Sequence, residues 1–447
     1  MSPLPQSFGR PVSTRLSSTR PLPALPLSIL PLSALPVTAL GLSATLLLAS
    51  CADEGGDANA EDEPAAARDT TSETEDGEAS GEDTQGQDAQ DQGSPGQDNP
   101  GTPFVVEELG SYDSPWALEF LPGTDQLLIT TQPGELVLHS TDTGEEIAVS
   151  GVPDDIVVAG QGGLGDVVAA PDFEQSQRVY LSWVSSGEGG TGAVVGHAQL
   201  VESGDAAELQ DLQVIWQQDP RAEGSGHFSH RLAFSPDGEH LFITSGDRQL
   251  LDPAQDLSSG LGKIMRLTPE GDPASGNPFA DQGGVTEEIW TYGHRNALGI
   301  AFDAEGRLWS SEMGPAGGDE LNLIEEGQNY GWPEVSNGSH YDGEEIPDHT
   351  DDDGFTAPAA SWNPAISPGS LMIYQGELFE EWTGDAFLGA LSGEALVRVG
   401  LDETSAAEDE LWEMDARIRD LAEAPDGSIW LIQDGAGAQL LRLTPAQ

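Results

Sequence analysis

A hairpin recurs along this chain, and its recurrence limits the fold more than any other feature. WALEFLPGTDQLLITT begins at Trp116, and LGDVVAAPDFEQSQRVYLSW begins at Leu164. RLAFSPDGEHLFITSGD follows from Arg231, and LGIAFDAEGRLWSSE from Leu298. LMIYQGELFEEWTGDAFLGAL from Leu371 is a looser copy, and IRDLAEAPDGSIWLIQD from Ile418 is the last. Each copy is an apolar run, a turn, and a second apolar run. Asp-Gly at the tip supplies the positive φ angles of a tight turn. Strand pairs returning about every fifty to seventy residues indicate radial β repetition. Six copies within residues 102–447 predict an all-β, six-bladed β-propeller of four-stranded antiparallel blades. Paired β-sandwiches would not repeat the hairpin so regularly, and β-helix rungs are shorter.

The chain before residue 102 has a different character. Arg10, Arg15 and Arg20 precede an uncharged stretch that ends in VTALGLSATLLLAS, directly before Cys51. This is the layout of a secretory leader, a positive segment followed by an apolar one. Leu48-Ala49-Ser50-Cys51 resembles the bacterial lipobox. That resemblance implies a lipoprotein signal peptide over residues 1–50 and lipidation of Cys51; a plain signal peptide is the alternative. Cys51 is the only cysteine, so no internal disulfide can form. Residues 51–101 are rich in Asp, Glu, Gly and Gln and contain no aromatic residue. Such a segment cannot bury enough apolar surface to offset its ordering entropy. It is expected to be a disordered acidic tether with an r.m.s. span of roughly 40 Å. The lipobox resemblance implies a protein at a bacterial cell envelope, anchored on the periplasmic face or the cell surface.

The charge excludes some partners. There are 78 acidic residues against 16 basic ones, a net −62. Nucleic acid and anionic membrane surfaces would be repelled, which leaves the lipid anchor as the membrane contact. The acid is not confined to the tether: residues 102–447 hold 62 Asp and Glu and 12 Lys and Arg. This points to salt adaptation, or to ordinary acidic solubility.

A propeller gathers loops from all its blades at one end of a central channel. Four polar clusters stand just before hairpins. They are Gly160-Gln161-Gly162-Gly163, Gly226-His227-Phe228, Gly293-His294-Arg295-Asn296 and Arg417-Ile418-Arg419, with Gly314-Pro315 after the fourth hairpin. Arg295, Arg417 and Arg419 share that kind of position. Three arginines converging in so acidic a domain suggest a bound anion, because guanidinium forks pair with planar carboxylates.

At the level of AGQGGLGDV, HFSHRLAFSPDG, DLSSGLGKIMRL, GHRNALGIAF, GPAGGDELNLIEEGQNYGWP and RIRDLAEAPDG, the chain resembles the soluble quinoprotein aldose (glucose) dehydrogenases. These are six-bladed propellers that use pyrroloquinoline quinone (PQQ) and calcium. The likeness runs over roughly residues 104–445. It implies oxidation of an aldose sugar, with electrons passed to a soluble or membrane acceptor. It implies His227 as general base, and Arg295 and Asn296 as residues that hold and polarise the quinone. Gln161, Tyr341, the Ala390-Leu391-Ser392 loop and Arg417-Ile418-Arg419 would be further cofactor contacts. The carbonyls of Gly314 and Pro315 would hold a calcium ion that bridges to the cofactor. Glu320 and Tyr330 would belong to a second, structural calcium site. His230 and His294 are expected to be structural. Three departures stand out. Gly226 replaces an acidic or amide residue that would orient the base, Ser392 stands where one branch has a lysine, and Met313 replaces a polar residue. They keep two other readings open: a non-catalytic carbohydrate- or protein-binding propeller, and a related dehydrogenase for sorbosone or another aldehyde.

Overall fold

The computed structural model describes residues 101–446. The expectations for the signal peptide, Cys51 and most of the tether lie outside the described residues. Twenty-four strands fall into six antiparallel four-stranded blades. The first five blades cover residues 115–150, 164–217, 229–292, 297–362 and 368–413 in turn. The sixth combines residues 418–445 with the first strand of the domain, Phe104–Tyr112, which pairs antiparallel with Ala438–Pro445. Both ends of the domain are therefore locked into one blade, which closes the ring.

Each hairpin read in the sequence is the inner half of a blade. The first strand of every blade lines the channel and touches the first strands of both neighbouring blades. Pro115–Phe120, Leu164–Ala169, Ser229–Phe234, Ala297–Phe302, Pro368–Ile373 and Ile418–Glu423 form this ring. Blades 1 and 2 are further joined at their rims. Val149 and Ser150 pair in parallel with Ala207 and Glu208, making one eight-stranded sheet. The sequence carried no sign of this join.

The space between blades is filled by apolar side chains of facing sheets. Trp183, Trp309, Phe104, Phe173 and Phe387 are among the fully buried ones. Burial of each such side chain stabilises the fold by about 1.5–3 kcal/mol. The channel is not empty either. Arg231, from blade 3, stands at its centre and reaches every other blade. Its guanidinium pairs with Asp166 of blade 2 and Asp420 of blade 6, each at 3.1 Å. It donates to the carbonyls of Leu298 in blade 4 (2.9 Å) and Gly369 in blade 5 (2.8 Å). It lies 4.1 Å above the Trp116 ring of blade 1. Beyond it, the channel opens into a cavity of about 330 Å³ lined by Glu119, Phe302, Met372 and Glu423 among others. That cavity lies at the ends of the inner strands, away from the predicted site residues at their starts.

All six inner strands share one irregularity. The register of the first strand pair slips near its start: between Pro115 and Ala117, Leu164 and Val167, Ser229 and Leu232, Ala297 and Gly299, Pro368 and Ser370, and Ile418 and Asp420. A bulge bends a strand and re-aims its side chains. Repeated six times at one end of the channel, it turns the loop residues there toward a common mouth.

Candidate active site

His227 lies two residues before the bulged inner strand of blade 3, at a φ of 48°. Its Nδ1 is 2.7 Å from Asp247 Oδ1. Asp247 follows the second strand of the same blade and is fully buried. Its carboxylate also accepts from the Gln249 amide (2.8 Å) and the Trp332 indole (2.8 Å). Burial pushes the Asp247 carboxyl up, but the hydrogen bonds outweigh it and hold the group below the usual range. An ionised Asp247 fixes the His227 proton on Nδ1 and leaves Nε2 as the acceptor. Burial lowers the pKa of His227 and outweighs the carboxylate, so the ring is neutral at neutral pH.

The loop around His227 explains two sequence features. Gln161 Oε1 accepts the His227 amide at 2.7 Å, so this side chain fastens the histidine backbone. A Cβ at Gly226 would stand 2.7 Å from the end of the exposed Gln249 side chain, which would have to swing aside to admit a larger residue. The orienter expected to be lost at Gly226 is supplied by Asp247 instead. Nothing in the residues next to His227 could have shown that. His230 and His294, the two other histidines of these loops, are tied into the scaffold. His230 bonds Ser182 Oγ (2.7 Å), stacks on Trp116, and burial pushes it down to about 3. His294 pairs with Thr291 Oγ1 (2.9 Å) and stacks on Tyr330.

Arg295 is joined to the same cluster. The Asp247 amide donates to the Arg295 carbonyl (2.8 Å), and the Arg295 guanidinium lies 5.3 Å from the Trp332 ring centre. The guanidinium donates to the Met313 carbonyl (2.9 Å) and the Tyr341 hydroxyl (3.0 Å), while its buried Nε has no partner. Any residue at 313 would offer that carbonyl; the Met313 side chain itself brings its sulfur 3.9 Å from Asn296 Nδ2. Asn296 is buried and accepts from Ser229 Oγ at 3.1 Å.

A second group forms at the head of blade 6. Arg417 Nε donates to Asp434 Oδ2 (2.8 Å), and Arg419 donates to Oδ1 from Nε (2.9 Å) and Nη2 (2.8 Å). Asp434 directly follows the second strand of its blade. The side chains of three expected cofactor contacts point elsewhere. Ala390, Leu391 and Ile418 are 0%, 2% and 0% exposed. As apolar residues on a tightly packed strand and its end they fill the core, and only their backbone is left to face a ligand. Ser392 is exposed and bonds Ser367 Oγ at 2.7 Å.

The Gly314 amide donates to Asp319 Oδ1 (2.8 Å), and Asp319 Oδ2 accepts the amides of Ile366 and Ser367. Asp319 therefore ties two mouth loops together. Glu320 points the other way and lies opposite Glu312 across the strand pair. Burial pushes its carboxyl up to about 8, with Glu312 adding to the effect. Around these two carboxylates, Glu312 Oε2, Asn322 Oδ1, His294 Nδ1 and both ring nitrogens of His349 are buried without hydrogen-bond partners. The histidines do lie near carboxylates, His294 Nδ1 at 3.3 Å from Glu312 and His349 at 4.0 Å from Glu320 and 3.4 Å from Asp353, so the two opposed carboxylates, with Asn322 Oδ1, are what offers donor chemistry for a cation. No three His, Cys, Asp or Glu side chains among the described residues form a ready metal cage. The Tyr330 hydroxyl is committed to the Leu323 carbonyl and the Glu325 amide, which leaves its carbonyl to offer.

A family model for glucose / sorbosone dehydrogenase matches residues 112–442. The aldose sugar dehydrogenase YliI of Escherichia coli is 37% identical over 339 residues, covering 74% of this chain and 90% of its own length. The crystal structure of the soluble aldose sugar dehydrogenase from Escherichia coli, in the apo form, superposes with a TM-score of 0.72 at 37% identity. The match covers 77% of this chain and 100% of that one. The PQQ-bound form of the aldose sugar dehydrogenase from Streptomyces coelicolor superposes with a TM-score of 0.64 at 29% identity, covering 76% and 98%.

Proposed function

This chain belongs to the glucose/sorbosone dehydrogenase family, and from that membership we propose that it is a quinoprotein oxidising the C1 hydroxyl of an aldose to the lactone, with His227 as general base. The observation that carries this reading is the Trp332–Asp247–His227 relay, set beside guanidiniums whose donors are not all used. Arg295 has a buried donor with no partner, and Arg417 and Arg419 share a single carboxylate. Unused guanidinium donors in a chain of net −62 suit a polyanionic cofactor such as pyrroloquinoline quinone. Arg295, Asn296, Tyr341, Arg417 and Arg419 would hold it, and Gly314 and Pro315 would offer carbonyls to its calcium ion. When bound, this pair accepts hydride from carbon and polarises the accepting carbonyl.

His227 Nε2 takes the C1 hydroxyl proton as the carbon gives up hydride, so the sugar loses two electrons and two protons. Asp247 holds the ring in the tautomer that can accept and stabilises the charge that forms. General-base assistance of this kind is typically about 10²–10⁴-fold. Gln161 fixes the height of the ring through its backbone. Glu320, with the Tyr330 carbonyl and Glu312, would hold a structural calcium ion away from the chemistry. The electrons leave for an external acceptor, and a lipid on Cys51 would keep the enzyme at the cell envelope.

Reconstitution tests the reading. The purified protein is loaded with pyrroloquinoline quinone and calcium, given aldoses, and followed by dye reduction. Turnover that falls by about 10²-fold or more in His227→Asn is expected. Failure to take up the quinone would leave a binding propeller, and uptake with turnover on aldehydes alone would move the substrate to the sorbosone class.

A further inference from the structure

Arg417 directly precedes the strand Ile418–Glu423 and Arg419 sits at its bulge, and both turn to the same carboxylate, Asp434. Both guanidiniums are desolvated to some degree; the Arg419 side chain is 15% exposed. Two like charges so placed repel, and nothing apolar holds them together. Asp434 does. Each arginine turns its Nε edge to a different carboxylate oxygen, at 2.8 and 2.9 Å. The carboxylate is itself fixed from behind, because the Asp434 amide donates to the Arg417 carbonyl at 2.9 Å. The arrangement uses the inner edges of both forks. The Nη atoms of Arg417 and Nη1 of Arg419 make no hydrogen bond among the described residues. The clamp thus presents spare donors and one net positive charge.

We propose that Asp434 is a positioning residue for the cofactor: it sets the two arginines into an anion clamp before the quinone arrives, and its negative charge strengthens binding. The proposal rests on the quinoprotein reading above. It makes the less obvious prediction. By Coulomb's law alone, removing a carboxylate from a polyanion site should tighten binding. Preorganisation predicts the reverse, because the cost of gathering two repelling forks would then fall on the binding step.

The test is a titration of the apo protein with pyrroloquinoline quinone in calcium buffer, followed by the absorbance of the bound quinone. Asp434→Asn keeps the shape, but its amide nitrogen can only turn a donor toward one of the arginines. It is expected to weaken quinone binding about tenfold or more while kcat at saturating quinone stays near wild type. Asp434→Glu restores the charge on a longer arm and should recover part of the loss, which a general packing defect would not allow. Apo melting curves of all three proteins check that the variants fold; if Asp434→Asn does not, Asp434→Glu alone decides, with weakened binding and unchanged kcat expected. Tighter or unchanged binding in the folded variants overturns the proposal. If the wild-type chain takes up no quinone, the cofactor reading itself fails and takes this one with it.

Discussion

At the scale of single residues, the proposed base His227 has a partner, Asp247, that its own neighbours do not reveal. His227 was legible because Gly226-His227-Phe228 precedes a hairpin and matches a family pattern. Asp247 was not, because it lies at the end of the next strand and meets the ring only once the hairpin closes. Asp434 was missed for the same reason. Both follow the second strand of a blade, after ITSG and LIQ, and a search of that position in every copy would have raised them. Asp247→Asn tests the relay. An amide can donate to Nδ1 and stabilise the wrong tautomer, so kcat should fall by about 10²-fold or more with little change in melting temperature. The pH profile gives a second handle. Only neutral His227 can accept a proton, and burial places its pKa below 6.5. Wild-type kcat/KM should therefore hold from neutral pH down to that lowered pKa and fall below it. Removing the carboxylate that raises the pKa should move any residual limb to still lower pH. An Asp247→Asn enzyme with wild-type turnover would show that the carboxylate does nothing for the base.

At the scale of elements, the hairpins were visible in the sequence because alternation and Asp-Gly turns are local signals. What joins them was not visible. The closing strand Phe104–Tyr112, the parallel pairing of blades 1 and 2, and the six bulges all depend on contacts between distant segments. Arg231 is the sharpest case. In the sequence it is one arginine opening a strand; in the fold it is the pin of the ring. Asp166 and Asp420 are buried against it, and even with this cation burial pushes Asp166 up to about 6. Arg231→Met should cost about 3–5 kcal/mol, because it leaves two carboxylates buried and facing each other. The pH dependence has a definite sign. In the variant both groups would titrate well above their unfolded values, so the native state would bind more protons than the unfolded one. Stability would then fall as pH rises from about 4 toward neutral and above. The urea midpoint of Arg231→Met should drop at pH 8 and recover partly at pH 5. A midpoint equal to wild type at pH 8 would mean that the ring does not rely on this pin.

At the scale of the whole molecule, charge sets the conditions under which the fold holds. Residues 102–447 carry 62 acidic and 12 basic side chains. Much of that basic minority is already spent on local pairs: Arg307 with Asp303, Arg398 with Asp385 and Glu410, Arg442 with Asp426, Arg417 and Arg419 with Asp434. Such pairs near the surface contribute about 0–1 kcal/mol each. They do little against the repulsion among the remaining carboxylates. Salt acts on both, in opposite directions. It weakens the surface pairs slightly, but it screens every long-range repulsion, since the Debye length falls from about 10 Å at 0.1 M to about 3 Å at 1 M. The Arg231 cluster is buried and is screened much less. The sum favours the folded state, so the melting temperature should rise between about 0.05 M and 1 M KCl. Screening acts mostly at the low end of that range, whereas exclusion of salt from apolar surface grows steadily with concentration. A steep rise below about 0.5 M that then flattens identifies charge repulsion as the cause. A melting temperature that stays flat or falls over the first few tenths molar would leave the acidic surface as a device for solubility alone.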